Sequence, residues 1–216
     1  MSLYFQKARD PLSSLTHLIG AVLFSLGTIL LVWKGIVNQA GAVALVSAAV
    51  FGLSLVGLYS ASALYHFARF SERAILALRK LDHSMIYVLI AGSYTPLLLC
   101  CFPRPKAYLL TVAIWAIAAV GILAKLLWFQ APRLLYTGFY IAMGWFILLD
   151  LPALAVLELP AILLLAAGGV CYTAGGVIYG LKRPNPSSSF GHHELFHLFV
   201  LAGSLCHYSM VLCYLV

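Results

Sequence analysis

Apolar residues fill seven long stretches of the chain, near 12–33, 40–66, 83–102, 107–128, 134–150, 159–181 and 191–215, with polar residues gathered in the gaps. A helix needs about 20 mostly apolar residues to cross the hydrocarbon of a bilayer, and each stretch is close to that length. A transmembrane barrel would instead alternate apolar and polar positions over segments of about 10 residues. Runs such as AILLLAAGGVCYTAGGVIYG (161–180) are continuously apolar, which favours helices. The pattern predicts an all-α membrane protein, a bundle of seven transmembrane helices forming one domain over 1–216. The first stretch is too long for a signal-peptide core and carries no convincing cleavage site, so it is expected to be retained.

The gaps are short. The longest, ARFSERAILALRKLD (68–82), spaces its cations as on an amphipathic turn lying among the headgroups. KRPNPSSS (182–189) holds two prolines and three serines, so the sixth helix must end there, and Ser188 or Ser189 is placed to cap the seventh. Pro96, in GSYTP (92–96), is expected to kink the third helix, with Ser93 or Thr95 helping to satisfy the carbonyls it releases.

Composition agrees with the pattern. Of the 216 residues 63% are hydrophobic and 9% charged, against roughly 25% charged in an ordinary soluble domain. Charge then orients the bundle. With seven spans, Lys7, Arg9, Arg69, Arg73, Arg79, Lys80, Lys125, Arg133, Lys182 and Arg183 share one face, and Lys34, Arg104 and Lys106 the other. The cation-rich face is expected to be cytoplasmic, with the N-terminus inside and the C-terminus outside. The net charge of +7 is thereby read as topology and attraction to anionic lipid. Basic residues scattered over several loops give no footprint for nucleic acid. The five cysteines (Cys100, Cys101, Cys171, Cys206, Cys213) lie within the spans without a C-x-x-C pair, and are expected to be buried small hydrophobes.

Candidate chemistry lies in HHELFH (192–197), where His193 and His197 are four residues apart and so share a helix face. His66 closes the second stretch and Asp82 opens the third. Under simple alternation all of these come to one side of the bilayer. Three imidazoles with a nearby carboxylate suit zinc. Ser62 stands four residues before His66 on the same face; its hydroxyl and the Asp82 carboxylate could hydrogen-bond a water activated by the metal. His207 lies about 15 Å further along the last helix than His197, which excludes it from that site. His17 and His83 are assigned structural roles. HELFH also fits H-E-x-x-H, in which Glu194 would be the general base of a metalloprotease, yet no carboxylate follows it as a third ligand.

Taken together, SALYHF (62–67), LDHSMIYVLIAGSYTPL (81–97) and HHELFHLFVLAGSLCHY (192–208) closely resemble the hemolysin III proteins. These are the bacterial branch of the progestin and adipoQ receptor superfamily, to which the adiponectin receptors belong. SLTHLIGAVLF (14–24) and GGVIYGLKRPNP (175–186) extend the resemblance to nearly the whole chain. It implies a seven-helix bundle with its N-terminus inside. It also implies zinc held by His66, His193 and His197, with Asp82 and Ser62 on the water. Receptor-branch members carry a non-acidic residue where Glu194 stands, which weakens the protease reading. The long cytoplasmic N-terminal domain of that branch has no counterpart in the sequence, so ligand signalling is not expected to carry over.

The combined expectation is a multi-pass protein of the bacterial inner membrane with a Zn²⁺ site shaped for hydrolysis of a lipid amide or ester, ceramidase-like, or serving membrane lipid homeostasis. Membrane lipids are the expected partners, with acyl chains accepted between the helices and no nucleic acid bound. Three alternatives stay open: a non-enzymatic regulator with structural zinc, a cytolysin, and an intramembrane metalloprotease.

Overall fold

The computed structural model describes residues 3–187 and 189–216. A short helix α1 (Leu3–Lys7) precedes α2 (Pro11–Val37), α3 (Ala42–Phe67), α4 (Glu72–Cys101), α5 (Arg104–Leu127) and α6 (Arg133–Gly144). A 3₁₀ segment, Phe146–Val156, extends α6 and is followed by α7 (Leu159–Leu181) and α8 (His192–Tyr214). Seven of these units, counting α6 with its extension, are long and apolar enough to cross a membrane. No strand occurs among the described residues.

Two elements depart from expectation. The 68–82 connection is mostly helix, because Ser71 caps α4 by accepting from the Ala74 amide and neither glycine nor proline interrupts the chain before Gly92. The spacing read as a headgroup turn is the first part of α4. Asp82 therefore sits about 15 Å inside that helix and does not open it. The fifth span breaks early. α6 stops at Gly144, and the backbone is non-helical at Asp150, with Pro152 just beyond. Irregular backbone at membrane depth must find its hydrogen bonds within the protein. Tyr94 supplies them, its hydroxyl donating to Gly144 O (2.8 Å) and accepting from Ile147 N (2.9 Å).

Elsewhere, Pro96 leaves α4 continuous. Ser93 and Thr95 donate to Ile90 O and Ala91 O, two residues and one residue short of Gly92, whose carbonyl the proline ring leaves without its helical partner. The N-cap of α8 is Gly191. Ser189 is not the cap, and Ser188 lies outside the described residues. Asn185 Oδ1 accepts from the His192 amide, and the Glu194 carboxylate accepts from Gly191 N. Sequence alone hid this because Asn185 reaches across the turn. The cysteines form no disulfide, and Cys100 and Cys213 are exposed; the remaining three are only partly buried, with Cys101 packed against the core.

Large apolar side chains such as Leu149, 78% exposed, point outward, while Ser47, Ser204 and His197 are buried. That inversion is what a lipid solvent selects, because polar groups must pair inside the bundle. Tyr59 donates to Ser204 Oγ, which also bonds the Tyr172 hydroxyl. Glycines let α7 and α8 approach closely. A Cβ on Gly168 would stand 2.2 Å from His207 Cδ2 and 3.1 Å from Gly203 O. At one end of the bundle Lys34 donates to Leu212 O, and Asn38 donates to Val216 O. At the other end, His66 meets His193 and the residues just before α2. α6 and its 3₁₀ extension line one wall of a cavity that α2, α3, α4, α7 and α8 complete.

Gly168→Ala should lower the melting temperature in detergent by the equivalent of about 1–3 kcal/mol. Gly138, where an added methyl would meet nothing within 4 Å, should tolerate alanine without loss. Equal melting of both variants would mean that α7 and α8 do not approach this closely.

Candidate metal centre

The site begins where the N-terminal coil docks on the end of α3. Amides of Arg9 and Asp10 donate to Phe67 O and His66 O, satisfying carbonyls that the last turn of a helix leaves without partners. This docking brings the Asp10 carboxylate to His66. His66 Nδ1 donates to Asp10 Oδ2 at 2.9 Å, which points Nε2 into the bundle. Arg9 also binds Asp10 Oδ2, at 3.0 Å, and lies over the Tyr65 ring. The hydrogen bond from His66, with Arg9 beside it, holds the Asp10 carboxyl below the usual carboxylate range against its partial burial.

α8 contributes the other two imidazoles. His193 Nε2 is 3.1 Å from His66 Nε2. His197, 2% exposed and among the most deeply buried side chains, directs Nδ1 to Ser13 O at 3.2 Å, with Thr16 Oγ1 at 3.5 Å. One nitrogen from each of His66, His193 and His197 lies within 4.8 Å of the others. Tetrahedral ligation with bonds of about 2.0–2.1 Å places ligand nitrogens about 3.3 Å apart. The His66–His193 separation is close to that value. The remaining nitrogens of His66 and His197 are fixed by a carboxylate and a carbonyl, the arrangement that orients imidazole ligands around a metal.

Ser62 and Asp82 reach the same chamber. Both line the cavity together with His193 and His197, and Asp82 lies beside Ser62. Ser62 Oγ is buried without a hydrogen-bond partner among the described residues, an arrangement that a ligand or water in the chamber would satisfy. The donor set of three imidazoles, with a polar wall opposite, fits an imidazole-preferring divalent ion.

The other histidines divide. His17 is part of the chamber wall, stacked on His197 with ring centroids 3.6 Å apart. Neither of its nitrogens has a partner among the described residues, and it is outside the group of three. His83 faces Phe129 and Tyr136. His207 bonds Leu165 O at 3.2 Å, far along α8.

Glu194 is engaged elsewhere. Ser13 donates to its Oε1 (2.7 Å) and Gly191 N to its Oε2 (2.8 Å), so one oxygen ties α8 to α2 and the other serves the start of α8. Sequence reasoning missed Asp10, Ser13 and Thr16. The available signal was Asp-Pro at 10–11, which reads as an ordinary helix start. Asp10 makes no side-chain cap bond because its carboxylate is turned to His66.

A profile of the family described as Haemolysin-III related matches residues 5–208. The chain is 36% identical over 205 residues to the Hemolysin-3 homolog of Bacillus subtilis (strain 168), covering 94% of this chain and 93% of that protein. It is 36% identical over 203 residues to Hemolysin-3 of Bacillus cereus, covering 94% and 90%. A more distant similarity, 27% over 177 residues, reaches the human Monocyte to macrophage differentiation factor, covering 79% and 71%.

Asp10→Asn should weaken metal binding by about 10- to 100-fold, the usual effect of losing such an orienting partner; competition with a chelator measures it. Glu194→Gln should change that affinity by less than about threefold, since the carboxylate is directed at Ser13 and Gly191. If Glu194→Gln proved the more damaging of the two, the glutamate would have to be returned to the metal.

Proposed function

The chain belongs to the haemolysin-III-related family of multi-pass membrane proteins, and from that premise we propose that it binds zinc through His66, His193 and His197 and hydrolyses a lipid amide or ester. The observation that carries the reading is the pairing of a three-imidazole group with a polar wall of Asp82 and Ser62 at one end of an apolar cavity of about 250 Å³. Three protein ligands are characteristic of catalytic zinc, whereas structural sites use four. Bound there, zinc supplies Lewis acidity, polarising a carbonyl and making water a stronger acid.

The chain's own residues then have defined tasks. Ser62 orients the attacking water by hydrogen bonding. Asp82 accepts its proton and returns that proton to the departing nitrogen or oxygen, as a general base and then a general acid. Asp10 holds the His66 ring, and Ser13 O holds His197. Leu58, Ile86, Leu89, Ile90 and Leu97 line the cavity beyond the polar wall and accept acyl chains in place of water. The cation-rich end that holds the site is the cytoplasmic one in this proposal, in the plasma membrane of a bacterium, since Lys and Arg accumulate on that side.

A second reading has its own support. The site ties α3 to α8 through His66 and His193, and α2 to both through Asp10 and Ser13, so the metal could be a clamp in a protein that regulates membrane composition without turnover. The hemolysin names of the Bacillus relatives raise a pore-former. That reading fits poorly with side chains such as Leu127 and Leu149 exposed to lipid, which leave no water-soluble state. A protease reading has less support, because the Glu194 oxygens accept from Ser13 and from Gly191 N.

Asp82→Asn should keep its metal while hydrolysis of an acyl-amide or acyl-ester substrate falls by about 100-fold or more; metal content and product release are measured on the same preparation. Undiminished turnover would remove Asp82 from the chemistry. If the wild type turns nothing over, yet chelation sharply lowers its melting temperature, the clamp reading replaces this one.

A further inference from the structure

Beside the cavity, on the cation-rich side, four basic side chains gather around one aromatic ring. Phe129 lies in the turn between α5 and α6, with Lys125 Nζ 4.7 Å, Arg79 Cζ 5.3 Å and Lys80 Nζ 5.8 Å from its centroid. The His83 ring stands 5.7 Å from it. Positive charge at this level of a bundle is ordinary when it is exposed, because topology alone places it there. Lys125 does not fit that explanation: it is 4% exposed, and its ammonium has no hydrogen-bond partner among the described residues. His83 Nδ1 is likewise buried and without one.

Among the described residues, no carboxylate forms an ion pair with these cations. The ion pairs there join Arg9 and His66 to Asp10, and Lys106 to Asp150. Asp82, adjacent to His83, lies near Ser62, His66 and Arg79, but it forms no ion pair with the cluster. The Tyr136 ring, 3.2 Å from Lys125 Nζ, supplies cation–π attraction, and the carbonyl end of α5 favours a cation. Lys80 already uses that end, donating to Leu126 O. Neither compensation provides what a buried ammonium ordinarily has, an anion in contact.

We propose that Lys125, Arg79, Lys80 and His83 form a binding site for a phosphate-type anion at the rim of the cavity. Arginine presents a planar fork that matches phosphate oxygens in pairs, and lysine a compact charge. Three cations and an imidazole exceed what a single carboxylate would neutralise. His83 and Tyr136 line the cavity as well as the cluster, so the anion would sit beside its mouth. The phosphate is either the headgroup of an anionic phospholipid or a free ion. The site is independent of the hydrolytic reading and would persist in a protein that catalyses nothing.

Native mass spectrometry of the detergent-purified chain tests this with phosphatidylglycerol, phosphatidylcholine and inorganic phosphate as probes. Phosphatidylglycerol should occupy one saturable site about tenfold more tightly than phosphatidylcholine, and Lys125→Met and Arg79→Gln should each erase most of that preference. Competition by millimolar inorganic phosphate would assign the site to the free ion as well; its failure to compete would assign it to the lipid headgroup. Arg79 is exposed, so Arg79→Gln decides the matter if Lys125→Met does not fold, with elution volume and metal content reporting folding. A preference unchanged in Arg79→Gln, or no preference and no phosphate binding in the wild type, would overturn the proposal.

Discussion

A hydrogen bond on one nitrogen of a buried imidazole fixes where the other nitrogen points, and the start of the first membrane helix supplies the partners on which the centre depends. Asp10 takes the outer nitrogen of His66, and Ser13 O takes that of His197. Those two bonds turn the opposite nitrogens toward His193, at a depth where a wrongly aimed ring would cost several kcal/mol in polar desolvation. They also couple segments distant in sequence: residues 10 and 66 meet where the chain before α2 docks on the end of α3, and residues 13 and 197 where α2 meets α8. The imidazole cluster and bundle assembly thus draw on the same few contacts.

The bundle is unequal around its circumference, and the inequality has a use. α7 and α8 meet through glycines at 168 and 203, and α2 and α3 through Gly20 and Gly52, whose missing side chains admit Tyr59 and Thr28. Such contacts favour rigid packing in a solvent that gives helices no hydrophobic reason to associate. The fifth span is the contrast. Its 3₁₀ half is held to α4 through the Tyr94 hydroxyl, and its wall borders the cavity. A broken span of this kind is tolerated where it lines a cavity, and it leaves apolar room beside the imidazoles.

Much of this is legible in the chain. Continuous apolarity yields the number of spans, and the i, i+4 histidines with His66 yield the three clustered imidazoles, because helix periodicity and alternation of spans are local rules. Where the reading fails, long-range contacts intervene. Asp10 looks like a helix start because nothing local ties it to His66, 56 residues away. Asn185 rather than a serine serves the start of α8, through a turn whose shape periodicity does not encode. Residues 68–82 read as headgroup surface by their charge, although the same spacing continues a helix once Ser71 begins it. Lys125 counts toward topology with the other cations, and only packing distinguishes it as buried.

The central physical claim is that three imidazoles on two helices hold one metal ion in each molecule. Plasma mass spectrometry of the protein purified without added metal addresses it directly, with a variant lacking His66, His193 and His197 prepared alongside. The expected result is about one zinc per wild-type chain and almost none in the variant. Wild-type protein that is folded yet carries no stoichiometric transition metal, even after incubation with zinc, would contradict it.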